Sequence, residues 1–253
     1  MLLGRDLLAG VHASTTVIDV LSQSANFSQV VTALQLSRLI PYINTLPNCT
    51  FFAPTDDAFA LRADLRLLMA HAHQGREQAR QALRRQLLYH LVPGDRWDRQ
   101  HLLEQSISTQ EMDARERVLN SAYVNGTWMN GTGVAMRVEL SMSADAAKTT
   151  MALPAMEMRV GDSANVLRPD LLATRGVVHE MDDFVVPPPD IATLLAHMAD
   201  TDQARMALAR IALDRRLSGP GPWTIFLPED EPFHEMHWVA RRYLAHDRGM
   251  DDL

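Results

Sequence analysis

A ten-residue pattern occurs twice in this chain and constrains its fold more than any other feature. The first copy, TFFAPTDDAF, spans residues 50–59, and the second, TIFLPEDEPF, spans 224–233. In each copy an apolar run favours a short buried strand, a proline ends it, and acidic residues follow where the first turn of a helix stabilises carboxylates. Phe52 and Phe226 are 174 residues apart, as are the last residues of the two copies. This constant offset indicates a duplicated domain.

The residues around the first copy are predicted to form helices. Residues 16–39 carry apolar side chains at helical spacing after a capping-box pattern at Thr16 and Asp19, which predicts one or two helices. Pro41 and Pro47 are expected to break the helix before a strand over 49–53. Thr55 is expected to cap the next helix. Further helices are predicted over 76–91 and 98–104, the first of them ended by a Pro-Gly pair.

The second half of the first unit is expected to be rich in strands. Residues 115–186 alternate or carry β-forming side chains between Asn-Gly turn signals, with the last strands over 177–186. A stiff linker, Pro187–Pro189, follows. After it, residues 190–213 repeat the helical spacing of the N-terminal region, which predicts a helix whose apolar face has little remaining chain to bury it.

Composition excludes several classes of protein. The net charge of -7 and the scattered basic residues argue against nucleic-acid binding, and no apolar run is long enough for a membrane helix. The single cysteine, Cys49, excludes an internal disulfide and a multi-thiolate zinc site, and is expected to be a buried apolar residue.

Four glycosylation triplets favour a secretory route. They begin at Asn26, Asn48, Asn125 and Asn130, which exceeds the number expected by chance. The N-terminal apolar run contains Arg5 and is too short for a signal peptide, so a targeting segment is expected to lie outside this chain.

Catalytic and metal chemistry have little support in the sequence. His90 and His179 stand among apolar residues, which favours buried structural histidines that tie strands to loops. The segments HEMDD at 179–183 and FHEMHW at 233–238 offer too few ligands for a metal, and no nucleophile or phosphate-binding motif is present. We therefore expect no enzyme activity, no metal and no cofactor.

The first unit resembles the fasciclin domain family in three segments, TFFAPTDDAF, LLYHLVPG and RGVVHEMDDFVVPP. The resemblance implies an α+β fold, a β-wedge packed with N-terminal helices, followed here by a truncated second copy. We assign residues 1–15 to an extension, 16–188 to the fasciclin-like domain and 189–253 to the incomplete copy. The implied signature residues are Thr50, Phe52, Pro54, Thr55, Asp57, Phe59, Tyr89, His90, Gly176, His179 and Asp182.

The resemblance also implies a function in adhesion and binding. In some animal members an Asp-Ile pair before the closing segment contributes to integrin binding, and Asp170 and Leu171 stand at that place with leucine for isoleucine. We expect protein partners, and glycan partners as a second kind, at a cell surface, in the matrix or at a vacuolar membrane. Self-association through the incomplete copy is a further expectation. The alternatives are an intracellular structural protein and, with less support, a hydrolase that uses His179.

Overall fold

The computed structural model describes residues 15–105, 107–108, 115–124, 133–142, 156–189, 191–213, 217 and 224–244. The expected extension, apart from its last residue, and the triplets at Asn125 and Asn130 lie outside these residues. The chain divides into two compact units between Pro187 and Pro188, within the stretch expected to be a linker. We describe each unit by itself.

The first unit begins with helices, as its N-terminal pattern predicts. These are α1 (Val17–Gln23), α2 (Ser28–Leu36) and α3 (Ile40–Thr45), with a one-turn 3-10 helix over Ala25–Phe27. The capping box is confirmed, because the Asp19 amide donates to Thr16 Oγ1 and the Thr16 amide donates to the Asp19 carboxylate. The expected break at Pro41 is wrong. Pro41 lies in the first turn of α3, where a helix does not need its missing amide hydrogen.

The signature segments follow these helices. In chain order they form β1 (Cys49–Pro54), α4 (Asp56–Leu61), α5 (Ala63–His73), α6 (Glu77–Tyr89), β2 (Leu91–Pro93) and α7 (Arg99–Gln105). The predicted strand and the helices near 76–91 and 98–104 are confirmed. Helix α5 has no counterpart among the predictions.

The remaining strands complete one sheet. They are β3 (Ile107–Ser108), β4 (Arg115–Asn120), β5 (Ala135–Met142), β6 (Met156–Val160), β7 (Ala164–Ala173) and β8 (Gly176–Met181). Among the described residues, eight strands are ordered β2-β1-β8-β7-β6-β5-β4-β3. Strands β1 and β8 are parallel, whereas β1 pairs antiparallel with β2. The expected α+β class is confirmed.

Strand β1 is buried on both faces, which explains its continuous apolar sequence. Phe51 packs among the helices in a cluster that includes Leu21, Phe27 and Leu34. Phe52 points to the opposite face and joins a second cluster within the sheet, lined by Trp97, Leu119, Met136, Val138 and Leu140. The junction therefore anchors two cores at once.

The second unit contains α8 (Ile191–His197), α9 (Asp202–Arg210), α10 (Asp230–Glu235) and α11 (Trp238–Leu244). Helices α8, α9 and α10 begin and end 174 residues after α1, α2 and α4. The expected single helix over 190–213 is wrong, because a turn divides α8 from α9 and Asp200 there has a left-handed φ of 55°. The first unit divides α1 from α2 at the equivalent place.

Candidate functional site

The signature side chains surround the junction between β1 and α4. Thr55 caps α4 by accepting a hydrogen bond from the Ala58 amide at 3.3 Å, and its own amide donates to the Met181 carbonyl at the end of β8. Phe59 is buried in the helical cluster, where its ring meets Phe184 edge to face. Pro54 lies opposite Met181 in the parallel register. The junction thus fixes a helix start to the last strand.

Asp56 links two helices, a role that the sequence does not reveal. Its carboxylate accepts the Gln29 amide at 2.8 Å and the Ser28 hydroxyl at 2.6 Å, so α4 supplies the cap for the start of α2. Asp57, the carboxylate selected from the signature, is exposed on the other side of the same helical turn. Asp56 and Asp57 therefore differ in role because only the Asp56 carboxylate reaches the start of α2.

Thr50 holds the loop between β2 and α7. Its buried hydroxyl donates to the Asp95 carbonyl at 3.0 Å and accepts the Trp97 amide at 2.8 Å. The Trp97 ring stacks on His101 at 4.4 Å between centroids and lies under the Arg117 guanidinium. One β1 hydroxyl therefore satisfies two backbone groups of a loop that carries an aromatic anchor.

His179 fixes the same loop from β8. Its ring is buried, stacks on Phe52 at 5.3 Å between centroids, and meets the Trp97 carbonyl with Nε2 at 2.9 Å. Because a carbonyl only accepts, Nε2 carries the proton, and Nδ1 is free to accept the Asp170 amide at 3.3 Å. Burial lowers the pKa of His179, opposed by the bond to Trp97. The ring is neutral and both nitrogens are satisfied.

Asp170 stands in an irregular part of β7. The pairing with β8 shifts register between Arg168 and Leu171, the interval that contains Asp170, and its φ of 61° is left-handed, which is uncommon for a residue other than glycine. Its carboxylate accepts the Arg99 amide at 2.9 Å and Arg99 Nε at 2.6 Å. Asp170 therefore holds the first residue of α7 and forms an ion pair that is partly exposed.

The leucine next to Asp170 is less accessible than its successor. Leu171 is partly buried against the helical cluster, whereas Leu172, on the other face of β7, is 59% exposed. Asp170 and Leu171 are adjacent in sequence, but the accessible apolar side chain in this part of β7 is that of Leu172.

His90 ties the end of α6 to β1. Nδ1 donates to the Phe52 carbonyl at 2.8 Å, and the Phe52 amide donates to the His90 carbonyl at 2.9 Å. Burial lowers the pKa of His90 to about 4. Nε2 has no hydrogen-bond partner among the described residues, although the Val185 backbone lies close enough to oppose this shift. A buried neutral ring of this kind suits a structural role.

Three further signature residues join separate elements. The Tyr89 hydroxyl donates to the Ala135 carbonyl at 2.9 Å, and burial raises the pKa of that phenol. Asp182 accepts both the backbone and the side-chain nitrogen of Asn165. Gly176 lies so close to β1 that a Cβ atom would stand 2.4 Å from the Cys49 carbonyl oxygen. Tyr89 thus joins the end of α6 to β5, Asp182 joins the end of β8 to β7, and Gly176 allows β8 to approach β1 closely.

Cys49 and the possible metal ligands remain to be placed. Burial raises the pKa of Cys49 to about 11, so its thiol stays protonated beside a cavity of about 190 Å³ that Val17 and Ile43 also line. In the part of the chain that the structure describes, no three His, Cys, Asp or Glu side chains are grouped to hold a metal. Within the same residues, no helix is both long and apolar enough to cross a membrane.

Two glycosylation triplets lie in described parts of the first unit, and both asparagines are exposed. The Asn26 side-chain nitrogen, which is the atom that carries a glycan, donates to Glu180 at 3.0 Å. At Asn48 it is the backbone carbonyl, and not the side chain, that accepts a hydrogen bond from the Gly94 amide. The glycan-bearing nitrogen of Asn26 is therefore engaged in a hydrogen bond within the fold.

Comparison with known proteins gives one family. The model of the fasciclin domain matches residues 25–187, which is well over half of the chain. Among solved structures, the chain is similar to a FAS1 domain pair from the insect cell adhesion molecule Fasciclin I, at 15% identity and a TM-score of 0.39. That match covers 87% of this chain and 66% of the insect chain.

Proposed function

Because this chain belongs to the fasciclin domain family, we propose that it is a non-catalytic interaction module that mediates protein contacts in adhesion. Fasciclin domains form a family of adhesion and interaction modules. The observation that carries the non-catalytic part is the condition of the two signature histidines. Both rings are buried, and both bind backbone carbonyls that hold loops and strands in place. Such groups stabilise a fold and present no free base to a substrate.

We place the contact surface around the Arg99–Asp170 ion pair. The pair joins α7 to β7 at the surface, with 44% of the Arg99 side chain and 24% of the Asp170 side chain exposed. Leu172 adds an exposed apolar side chain two residues along β7. Arginine is enriched in protein interfaces, and the exposed Leu172 side chain would lose its contact with water on binding. Asp170 and Leu171 stay our candidate contact pair, with Leu172 as the accessible neighbour.

This surface can be tested by an adhesion assay. Beads coated with the full chain are allowed to settle on cells and matrix of the native host, and bound beads are counted after washing. We expect Leu172→Ser to reduce bound beads severalfold. Leu61→Ser is the matched control, because Leu61 is 79% exposed in α4 and its loss should leave adhesion unchanged. Equal adhesion by both variants would exclude this surface, and adhesion no higher than that of uncoated beads would contradict the interaction function.

We further propose that the protein is glycosylated on the secretory route and acts at a cell surface, in the matrix or at a vacuolar membrane. The exposed Asn26 and Asn48 support this, together with the two triplets outside the described residues. Protein partners are the first kind proposed, and glycan partners are the second. No metal or cofactor enters the proposed function.

We also propose that residues 189–253 are an incomplete second fasciclin-like copy. Its support is the 174-residue offset, which holds for the sequence pattern and for three helices. Left-handed residues also follow the paired helices α2 and α9, with φ of 56° at Arg38 and 54° at Ala212. The copy provides a further element for interaction, and self-association through it is one arrangement that the apolar face of its helices would permit.

A further inference from the structure

The arginines of the N-terminal helices are an exception to the scatter of basic residues along the chain. Residues 62–85 contain six arginines and two acids, although the whole chain has a net charge of -7. Residues 24–55 contain one arginine and no acid. The two segments contribute α2, α3, α5 and most of α6 to the first unit. This part of an acidic protein therefore carries an excess of positive charge.

Four of these arginines form a row. Arg76 is the N-cap residue of α6, and its carbonyl accepts the Arg80 amide. Arg76, Arg80 and Arg84 are four positions apart, so they follow one face of the helix over about 12 Å. Arg84 Nη1 donates to the carbonyls of Ser37 and Arg38, each at 3.1 Å, which places Arg38 beside the end of the row. We call Arg38, Arg76, Arg80 and Arg84 the arginine row.

The stability of α6 does not explain the arginine row. The helix dipole disfavours a cation at the N-terminus, yet Arg76 stands there and makes no side-chain cap bond. Arg80 and Arg84 repel each other at a spacing of four residues, and Glu77, the one acid in α6, offsets part of this charge from 2.8 Å. Arg38 and Arg76 are exposed, and neither side chain has an ion pair or a hydrogen bond among the described residues. Their guanidinium groups are therefore available to a partner.

The surface beside the arginine row favours a polysaccharide over a membrane or a protein. Throughout the described stretch 76–90 no large apolar side chain is exposed, so this surface has nothing to insert into a bilayer and no apolar centre for a protein interface. Gln78 and Gln81 are exposed on α6 instead, and their amides can bond to hydroxyl groups. Arginine forks bind carboxylates and tetrahedral oxyanions through paired N–H groups. A row of such forks fits a linear chain of acidic sugars.

We propose that the arginine row binds an acidic polysaccharide, in which sulfate or carboxylate groups repeat along a linear chain. Arg38 and Arg76 bind through exposed side chains and release counterions from the polymer. Arg84 is already held by two carbonyls, so it loses less side-chain freedom on binding. This inference rests on the proposed interaction function and gives its glycan partners a surface. That surface belongs to α2 and α6, whereas the proposed protein contacts belong to α7 and β7.

The test is a titration of end-labelled dextran sulfate with the full chain, followed by fluorescence anisotropy at several salt concentrations. We expect saturable binding that weakens as salt rises, and no binding to neutral dextran. Arg38→Gln combined with Arg76→Gln should weaken binding about tenfold at about 0.1 M salt and should reduce the salt slope by about two. Arg137→Gln combined with Arg159→Gln is the matched control, because it removes the same charge from exposed positions on β5 and β6. The control should change binding by about twofold or less.

Because Arg38 and Arg76 are exposed, the double variant should stay folded, which circular dichroism checks. If it unfolds, Arg76→Gln alone should still weaken binding about threefold and reduce the salt slope by about one. Absence of saturable binding at low salt, or an equal loss in the matched control, would overturn the proposal.

Other occupants of the arginine row give different results. Tighter binding to vesicles of phosphatidylserine and phosphatidylcholine, or to polyglutamate, would overturn the proposal in favour of a membrane or an acidic protein. So would a dimer of the chain that Arg38→Gln with Arg76→Gln dissociates, since the occupant would then be a second copy. Beads that adhere without dextran sulfate binding would overturn the arginine row alone. Beads that fail to adhere while dextran sulfate still binds would contradict the proposed protein contacts and leave the arginine row in place.

Discussion

Replacing Thr50 with valine removes one hydroxyl and keeps the shape of the side chain. That hydroxyl makes two hydrogen bonds to the loop before α7, one with the Trp97 amide and one with the Asp95 carbonyl. Trp97 is buried, whereas Asp95 is exposed. After the change, water can therefore reach the carbonyl more easily than the amide.

The expected loss follows from these two environments. An unsatisfied buried amide costs about 1–3 kcal/mol, and a partly hydrated carbonyl costs less. We expect Thr50→Val to lower the free energy of unfolding of the first unit by about 2–4 kcal/mol. The Trp97 amide should also exchange its hydrogen with solvent much faster than in the natural protein, because its acceptor is lost.

Native-state hydrogen exchange, followed by NMR on the slowest amides of β1 and β8, measures this loss for the first unit alone. Thr32→Val is the matched control, because the Thr32 hydroxyl also binds a backbone carbonyl but lies on the exposed side of α2. We expect the control to change stability by about 0.5 kcal/mol or less. A Thr50→Val loss as small as that of the control would refute the role assigned to this hydroxyl.

Three other predictions concern signature positions. As pH falls from 6.5 to about 4, His90 takes up a proton in the unfolded chain but not in the buried ring, so the free energy of unfolding of the first unit should fall by about 3 kcal/mol. His90→Asn should make the free energy of unfolding, measured by denaturant titration, depend less on pH. An unchanged pH dependence would contradict the burial argument. Gly176→Ala should cost more than about 3 kcal/mol because its Cβ would meet a backbone oxygen, whereas Gly75→Ala should cost about 1 kcal/mol through its left-handed φ alone; similar melting temperatures for the two would refute this. Asp56→Ala should cost about 1–2 kcal/mol and its exposed neighbour Asp57→Ala about 0.5 kcal/mol or less, and a reversed order in thermal melts would exclude the cap on α2.

Local patterns in the sequence predicted much of the first unit. The cap at Thr55, the capping box at Thr16 and the buried strand β1 depend on neighbouring residues, so spacing alone reveals them. Pro41 illustrates the limit of such reasoning. A proline breaks a helix only when it falls inside one, and here it begins the next helix.

The contacts of the site depend on distant parts of the chain, and single residues did not reveal them. Asp56 and Asp57 are adjacent acids in the same turn, and only the position of α2 distinguishes them. Asp170 adopts a left-handed conformation that the spacing of the sequence does not indicate, and its partner Arg99 is 71 positions away, so the bond between them could not be anticipated. The sequence predicted that the histidines tie strands to loops, but it did not predict that their partners are the Phe52 and Trp97 carbonyls.

The most direct test of a secreted interaction module is the mass of the protein isolated from its native host, before and after peptide N-glycosidase. We predict a fall in mass and conversion of asparagine to aspartate at one or more of the four triplets, with Asn48 favoured over Asn26. Peptide mapping assigns the sites. An unchanged mass, with all four asparagines intact, would contradict passage through the secretory route and would move the protein to an intracellular setting.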